Sequence, residues 1–259
     1  MGTVTSRDGT GIGFTTVGSG PPMVLVHGTS ADHVRWDPVL AQLAERYTVH
    51  AVDRRGRGLS GDGETYDIQR EGEDIAAVVD AVGPGVFLVA HSYGARCSLE
   101  AALLTSGIKQ MVLYEPPGVT PGHRVSSPDV LAELREATDR DEILTIFYRG
   151  ALHQTDAQIE VMRGTPVWQA RLAAAHTVSR ELDTIETFGI VPGRYAGIDV
   201  PVRLLLGTES PPYFRSTAEA IAAQLTDVEI VDLPGQAHMA INEAPKLFLD
   251  TVFGSARSA

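Results

Sequence analysis

A serine hydroxyl becomes a useful nucleophile only when an imidazole takes its proton, and a carboxylate on the other ring nitrogen keeps that imidazole in the working tautomer. The stretch that could build such a set here is Val86-Phe87-Leu88-Val89-Ala90-His91-Ser92-Tyr93-Gly94-Ala95. Its apolar run reads as a buried parallel strand, and a helical pattern over 93–104 begins without a gap. Ser92 falls at the break. A strand that turns directly into a helix projects the residue at the turn outward and sets it at the helix's positive end. Residues two before and two after must be small, because strand and helix pass too close for bulk; they are Ala90 and Gly94.

Among the histidines, His238 is the strongest base candidate. It lies in Pro234-Gly235-Gln236-Ala237-His238-Met239, the loop after the last strand pattern, and so on the same sheet edge as Ser92. The others have plainer uses. His27 closes a buried strand, where a structural hydrogen bond is expected, and His91 precedes Ser92 and should point the other way. His50 lies within a strand, and His123, His153 and His176 lie in or near a long helical stretch.

The elements that must position these residues alternate. Residues 3–6 and 12–17 read as a hairpin around Arg7-Asp8-Gly9-Thr10-Gly11. Strand patterns follow at 23–27, 47–52, 86–90, 110–114, 202–207 and 228–233. Helical spacings lie between them at 36–44, 75–82, 93–104, 216–224 and 245–253. Such alternation implies a mostly parallel, doubly wound α/β sheet with helices on both faces, and ligands then bind outside the carboxyl ends of the strands. His27-Gly28-Thr29-Ser30, Asp53-Arg54-Arg55-Gly56-Arg57-Gly58-Leu59-Ser60, Ser92, Glu115-Pro116-Pro117 and His238 all sit at such ends. From about 118 to 198 the alternation stops and helical patterning takes over. That length is too great for a loop, so it reads as an inserted helical cap on a core made of 1–117 and 199–259.

Bulk properties narrow the function. The chain has 259 residues, a net charge of −12 and a pI near 5.0. An acidic surface of this kind argues against nucleic acid and anionic membranes as partners. One cysteine, Cys97, permits no internal disulfide and reads as a packed thiol. No apolar run reaches the length of a membrane span, and the first residues carry no apolar core like that of a secretory signal, so a cytoplasmic protein is expected. No His, Cys and carboxylate cluster has metal-ligand spacing, so neither metal nor organic cofactor is expected.

Taken together, the motifs around His27-Gly28, Asp53 to Ser60, Ser92 and His238 resemble the α/β-hydrolase superfamily, in its capped branch with a serine nucleophile. The resemblance implies Ser92 as nucleophile and His238 as base. It also implies an oxyanion hole made of the backbone N–H groups of Thr29 and Tyr93. Position 29 is commonly bulky and apolar in these families, and the Thr29 hydroxyl is a candidate third donor. The Asp53 to Ser60 turn is scaffold. The family's acid usually lies three residues past the glycine ending the strand at 202–207, and here that place holds Ser210. Two carboxylates can substitute. Glu115 ends the preceding core strand, the position used by certain haloalkane dehalogenases, and is preferred; Glu209, one residue early, is the alternative. A Ser-His dyad without an acid is a third arrangement.

A serine in this place favours attack at a carbonyl. The leading expectation is hydrolysis of a carboxylic ester, lactone or thioester through an acyl-enzyme. Same-triad chemistry, as in C–C bond hydrolases, perhydrolases and lyases, is the alternative, as is a non-catalytic small-molecule receptor. Ile143, Phe147, Tyr148, Leu152, Met162 and Trp168 are candidate pocket walls, although residues at such spacing are more often core, and Trp36 reads as a core anchor first and a pocket wall second; a medium-sized, largely apolar acyl or ring compound is the expected substrate.

Overall fold

Eight strands form one sheet in the computed structural model, which describes residues 1–254. They are β1 (Gly2–Thr5), β2 (Gly11–Val17), β3 (Pro22–Val26), β4 (Thr48–Val52), β5 (Val86–His91), β6 (Ile108–Tyr114), β7 (Val202–Gly207) and β8 (Val228–Leu233). Their spatial order is β1-β2-β4-β3-β5-β6-β7-β8. The hairpin β1–β2 and the pair β2–β4 are antiparallel, and every other pairing is parallel. All six residues of β5 are buried, as a continuous apolar run in a doubly covered sheet requires.

The chain leaves β3 for β4 on one side and returns to β5 on the other, so strand order reverses between β3 and β5. Val26 faces Ala90 across that pair. A crevice outside the strand ends opens at such a reversal. It lies between the turn after β3, which carries Gly28 and Thr29, and the turn after β5, which carries Ser92.

Alternate residues feed two cores. Val24, Val26, Leu88, Ala90, Leu113 and Leu204 share one cluster with the helices Ile68–Val82, Tyr93–Ala102 and Pro212–Ala222. Met23, Leu25, Phe87, Val89, Val112 and Leu205 share the other with Asp37–Ala44 and Pro245–Phe253. Trp36 belongs to this second cluster.

Between β6 and β7 run the helices Pro128–Glu136, Arg140–Gly150, Asp156–Arg163, Pro166–Ala174 and Val178–Phe188. Their starts are marked by local chemistry. Ser127, Asp139 and Thr155 each accept a hydrogen bond from a first-turn N–H, and Pro128 and Pro166 occupy first positions where no donor is needed. Their buried faces, including Leu134, Leu144, Tyr148, Trp168 and Leu182, join the same apolar cluster as β3, β5 and β6.

A buried ionic network fastens this helical segment to the sheet. Arg54 bonds Glu71 at 2.5 and 3.0 Å and lies 3.1 Å from Glu181 on the last of those helices; Arg57 also pairs with Glu181. Arg55 holds Asp74 at 2.6 and 2.8 Å and Asp8 at 3.0 Å. Burial would raise Glu181, but Arg54 and Arg57 outweigh it and hold the carboxyl at about 2. The three arginines of the Gly-rich turn are thus internal, paired scaffold. No helix among the described residues is long and apolar enough to cross a membrane.

Candidate active site

Ser92 has φ 57° and ψ −130°, a backbone conformation that L-residues other than glycine rarely adopt and that costs about 1–3 kcal/mol. The surroundings hold it there. Ser92 N–H donates to the Tyr114 carbonyl at 2.8 Å, and the Ala95 N–H donates to the Ser92 carbonyl at 2.9 Å. Gly94 is required at the turn, because a Cβ there would lie 2.2 Å from the His27 carbonyl oxygen. Gly28 is required for the same reason from the other side, since its Cβ would meet Ser92 Cβ at 2.7 Å. Ala90, fully buried in β5, is accommodated without a glycine. Positive φ at non-glycine residues occurs at Ser30, Ser92, Glu115 and His153 among the described residues, and the first three flank this crevice.

His238 Nδ1 is 2.5 Å from Glu115 Oε2, and the other carboxylate oxygen of Glu115 accepts the Gly207 N–H at 2.8 Å. Glu115 is fully buried and His238 is 6% exposed. Nδ1 therefore carries the proton toward the carboxylate, which leaves Nε2 with a free lone pair in the neutral ring. The imidazole is clamped between rings: Phe214 stacks on it at 4.7 Å and 18°, and His91 lies 4.4 Å away at 37°. Glu209 is exposed, and its Oε1 accepts only from the neighbouring Thr208 hydroxyl at 3.4 Å. Ser210, at the position where the family usually keeps its acid, has a buried hydroxyl without a partner.

Ser92, His238, Thr29 and Phe147 line one narrow cavity, with room for about one water-sized sphere, ≈ 10 Å³. The Thr29 N–H has no hydrogen-bond partner among the described residues, and Tyr93 N–H, first in its helix, has no intrahelical acceptor.

Other expected residues are placed differently. Leu152 joins Phe147 on the cavity wall. Trp36 is fully buried in the core on the second sheet face, away from the pocket. Trp168 is core as well, its indole N–H donating to Asp141 at 2.8 Å. Tyr148 is buried and gives its hydroxyl to contacts with Ser30 and Arg171 rather than to the wall. His27 makes the structural bonds expected of it, accepting the Arg54 N–H at 3.1 Å and donating to the Gly28 carbonyl at 2.8 Å. His91 was expected to point away; instead it lines the cavity, donates to the His238 carbonyl at 3.1 Å, and is pushed well below the usual histidine range by burial and by His238 and Arg35.

Four residues on this cavity went unnoticed in the sequence: Arg35, Arg171, Ala31 and Met239. A signal existed for Arg171. Trp168, Arg171 and Ala174 form one buried stripe at helical spacing, with a charge in its middle. Among the described residues no group of three His, Cys, Asp or Glu side chains could hold a metal ion.

A sequence model described as the alpha/beta hydrolase family matches residues 23–251, nearly the whole chain. The chain belongs to the alpha/beta hydrolase family. Among solved structures of alpha/beta hydrolases, one from Sphaerobacter thermophilus DSM 20745 superposes with a TM-score of 0.82 at 34% identity, covering 98% of this chain and 100% of that one. An esterase from Rhodococcus sp. ECU1013 gives 0.78 at 25% identity, covering 97% and 96%. Curated relatives match this chain over shorter spans. The 2-(acetamidomethylene)succinate hydrolase of Mesorhizobium japonicum is 41% identical over 87 residues, 33% of this chain and 31% of that protein. The N-formylmaleamate deformylase of Pseudomonas putida is 33% identical over 128 residues, 47% of this chain and 48% of that protein. The chain spans less than half the length of those two curated relatives.

Proposed function

We propose that this hydrolase cleaves a carboxylic ester, or a closely related lactone, thioester or amide, through an acyl-enzyme on Ser92. The observation that carries the reading is the buried bond from His238 Nδ1 to Glu115 beside a serine held in a strained turn. Ser92 Oγ attacks the substrate carbonyl while His238 Nε2 takes its proton, and the carbonyl π electrons move to oxygen. The Thr29 and Tyr93 N–H groups receive that oxyanion, each contributing about 2.7–4 kcal/mol. His238 then protonates the leaving group as its bond to carbon breaks. Water, deprotonated by His238, attacks the acyl-enzyme, and the carboxylic acid and free Ser92 are restored. Glu115 orients the imidazole and stabilises its charged form.

Residues 118–198 act as a cap over the core 1–117 and 199–259, supplying Phe147 and Leu152 to the wall. Two relatives named above, a hydrolase and a deformylase, support acyl transfer to water as the reaction type.

The test is intact-mass detection of a single adduct with a small fluorophosphonate, absent in Ser92→Ala, followed by a panel of esters and thioesters. Glu115→Gln is expected to lower kcat by about 10³–10⁴-fold, and Glu209→Gln to leave it unchanged. Loss of turnover in E209Q with E115Q intact would reverse the acid. No adduct and no turnover would favour the receptor reading.

A further inference from the structure

Two guanidinium groups in the cavity at Ser92 have no counter-ion among the described residues. Arg35 and Arg171 are 7% and 6% exposed, and both line it. Arg35 donates from Nη1 to Asn242 Oδ1, while its Nε and Nη2 have no partner. Arg171 donates from Nη1 to Ser30 Oγ and the Tyr148 hydroxyl, and its Nε has none. Among the described residues, the negative groups nearest in effect, Asp32 for Arg171 and Glu243 for Arg35, form no ion pair with either. The Asp32 carboxylate accepts the Val34 N–H at 3.1 Å instead.

Natural interiors rarely leave a cation so placed, because desolvation without pairing is strongly unfavourable. Burial pushes Arg171 down to about 9, and the charge of Arg35 adds to the effect; burial likewise pushes Arg35 to about 10. A second cavity, lined by Asp32, Val34, Val167 and Asn242, shares Ala31, Arg35 and Arg171 with the first. Val34 and Val167 are exposed, so the two arginines stand between the surface and Ser92.

The planar fork of a guanidinium matches a carboxylate with two parallel hydrogen bonds. Arg35 comes from the turn His33–Trp36 after β3, and Arg171 from the helix Pro166–Ala174. An anion between them would bridge sheet and helical segment. We propose that Arg35 and Arg171 bind a free carboxylate of the substrate, so that this hydrolase acts on half-esters or half-amides of short dicarboxylic acids. The substrate part rests on the acyl-enzyme reading of Ser92. A wholly apolar acyl compound, the expectation from the aromatic residues of the cap, would leave both cations unpaired in the complex.

The test compares monoethyl succinate with ethyl 4-methylpentanoate, in which an isopropyl group replaces the carboxylate at similar shape. The native protein is expected to favour the anionic ester by at least about tenfold in kcat/KM. Arg35→Met and Arg171→Met should each erase that preference. Calorimetric titration of succinate into Ser92→Ala should show binding that weakens at least about tenfold when Arg171→Met is added. Equal or better use of the neutral ester, with no succinate binding, overturns the proposal and leaves the hydrolase reading intact. Succinate binding without turnover or fluorophosphonate labelling keeps the anion site and overturns the acyl-enzyme reading. The ester comparison on native protein needs no variant to fold.

Discussion

Two sets of buried arginines contrast in this molecule, apart from Arg96, whose guanidinium donates to the Pro117 and Gly189 carbonyls. Arg54, Arg55 and Arg57 lie under the joint between sheet and helical segment, and carboxylates of Glu71, Asp74 and Glu181 match them. Arg35 and Arg171 lie a short way off, in the cavity of Ser92, and no carboxylate matches them. Both sets bear the desolvation penalty of a buried cation. In the first, the protein supplies the compensation itself, and the result is architecture. In the second the compensation is missing, which is how a binding site differs from a scaffold: its unfavourable electrostatics are relieved by something that arrives from outside.

The sharpest way to break the comparison is at Glu181. Glu181→Ala strands Arg57 and leaves Arg54 with Glu71 alone, and is expected to cost about 3–5 kcal/mol of unfolding free energy, read from urea melts. A loss below about 1 kcal/mol, the size of an exposed pair, would mean the matched set is not structural.

Next in size is the acid side of the stability curve. Glu181 has a folded value of about 2 against an ordinary 4.5, so its contribution is complete above the unfolded value and is lost as pH falls from about 4.5 toward 2. Unfolding free energies at pH 5 and pH 3 should therefore fall more steeply in the native protein than in Glu181→Gln. Parallel slopes would remove Glu181 from the account.

The smallest expected change is in the unmatched set. Arg171→Met replaces an unpaired cation with an apolar chain of similar length, so its melting temperature should equal or exceed the native one. Added succinate should raise the melting temperature of native protein and not of the variant. A destabilisation as large as that of Glu181→Ala would make Arg171 scaffold and erase the distinction.

Much of the fold was legible because parallel strands covered on both faces are apolar runs that end abruptly. β7 at 202–207 and β8 at 228–233 fall where those runs predict. The turn residues were legible too: Gly28 and Gly94 are small because backbone passes within van der Waals distance of them. Glu115 came within reach through resemblance and the absence of an acid at Ser210, and the structure sets it against His238. The arginines were not legible. A charged side chain reads as solvated unless long-range packing buries it, and spacing along a helix does not say what covers its faces. The turn of Arg54, Arg55 and Arg57 reads as scaffold by resemblance, but the carboxylates those arginines meet are set by the same long-range packing. Trp36, read as a core anchor first and a pocket wall second, lies in the core, and which face of the sheet it meets is decided by register.

Glu115 is the first residue after β6, before the chain departs through Pro116 and Pro117 into the helices of 118–198. Exchanging that helical stretch for another, a natural route to a new specificity, is therefore not a free operation here. A splice placed upstream of residue 115 would carry the proposed acid away with the old helices, and the transplanted chain would inherit an imidazole at His238 with nothing to steer it.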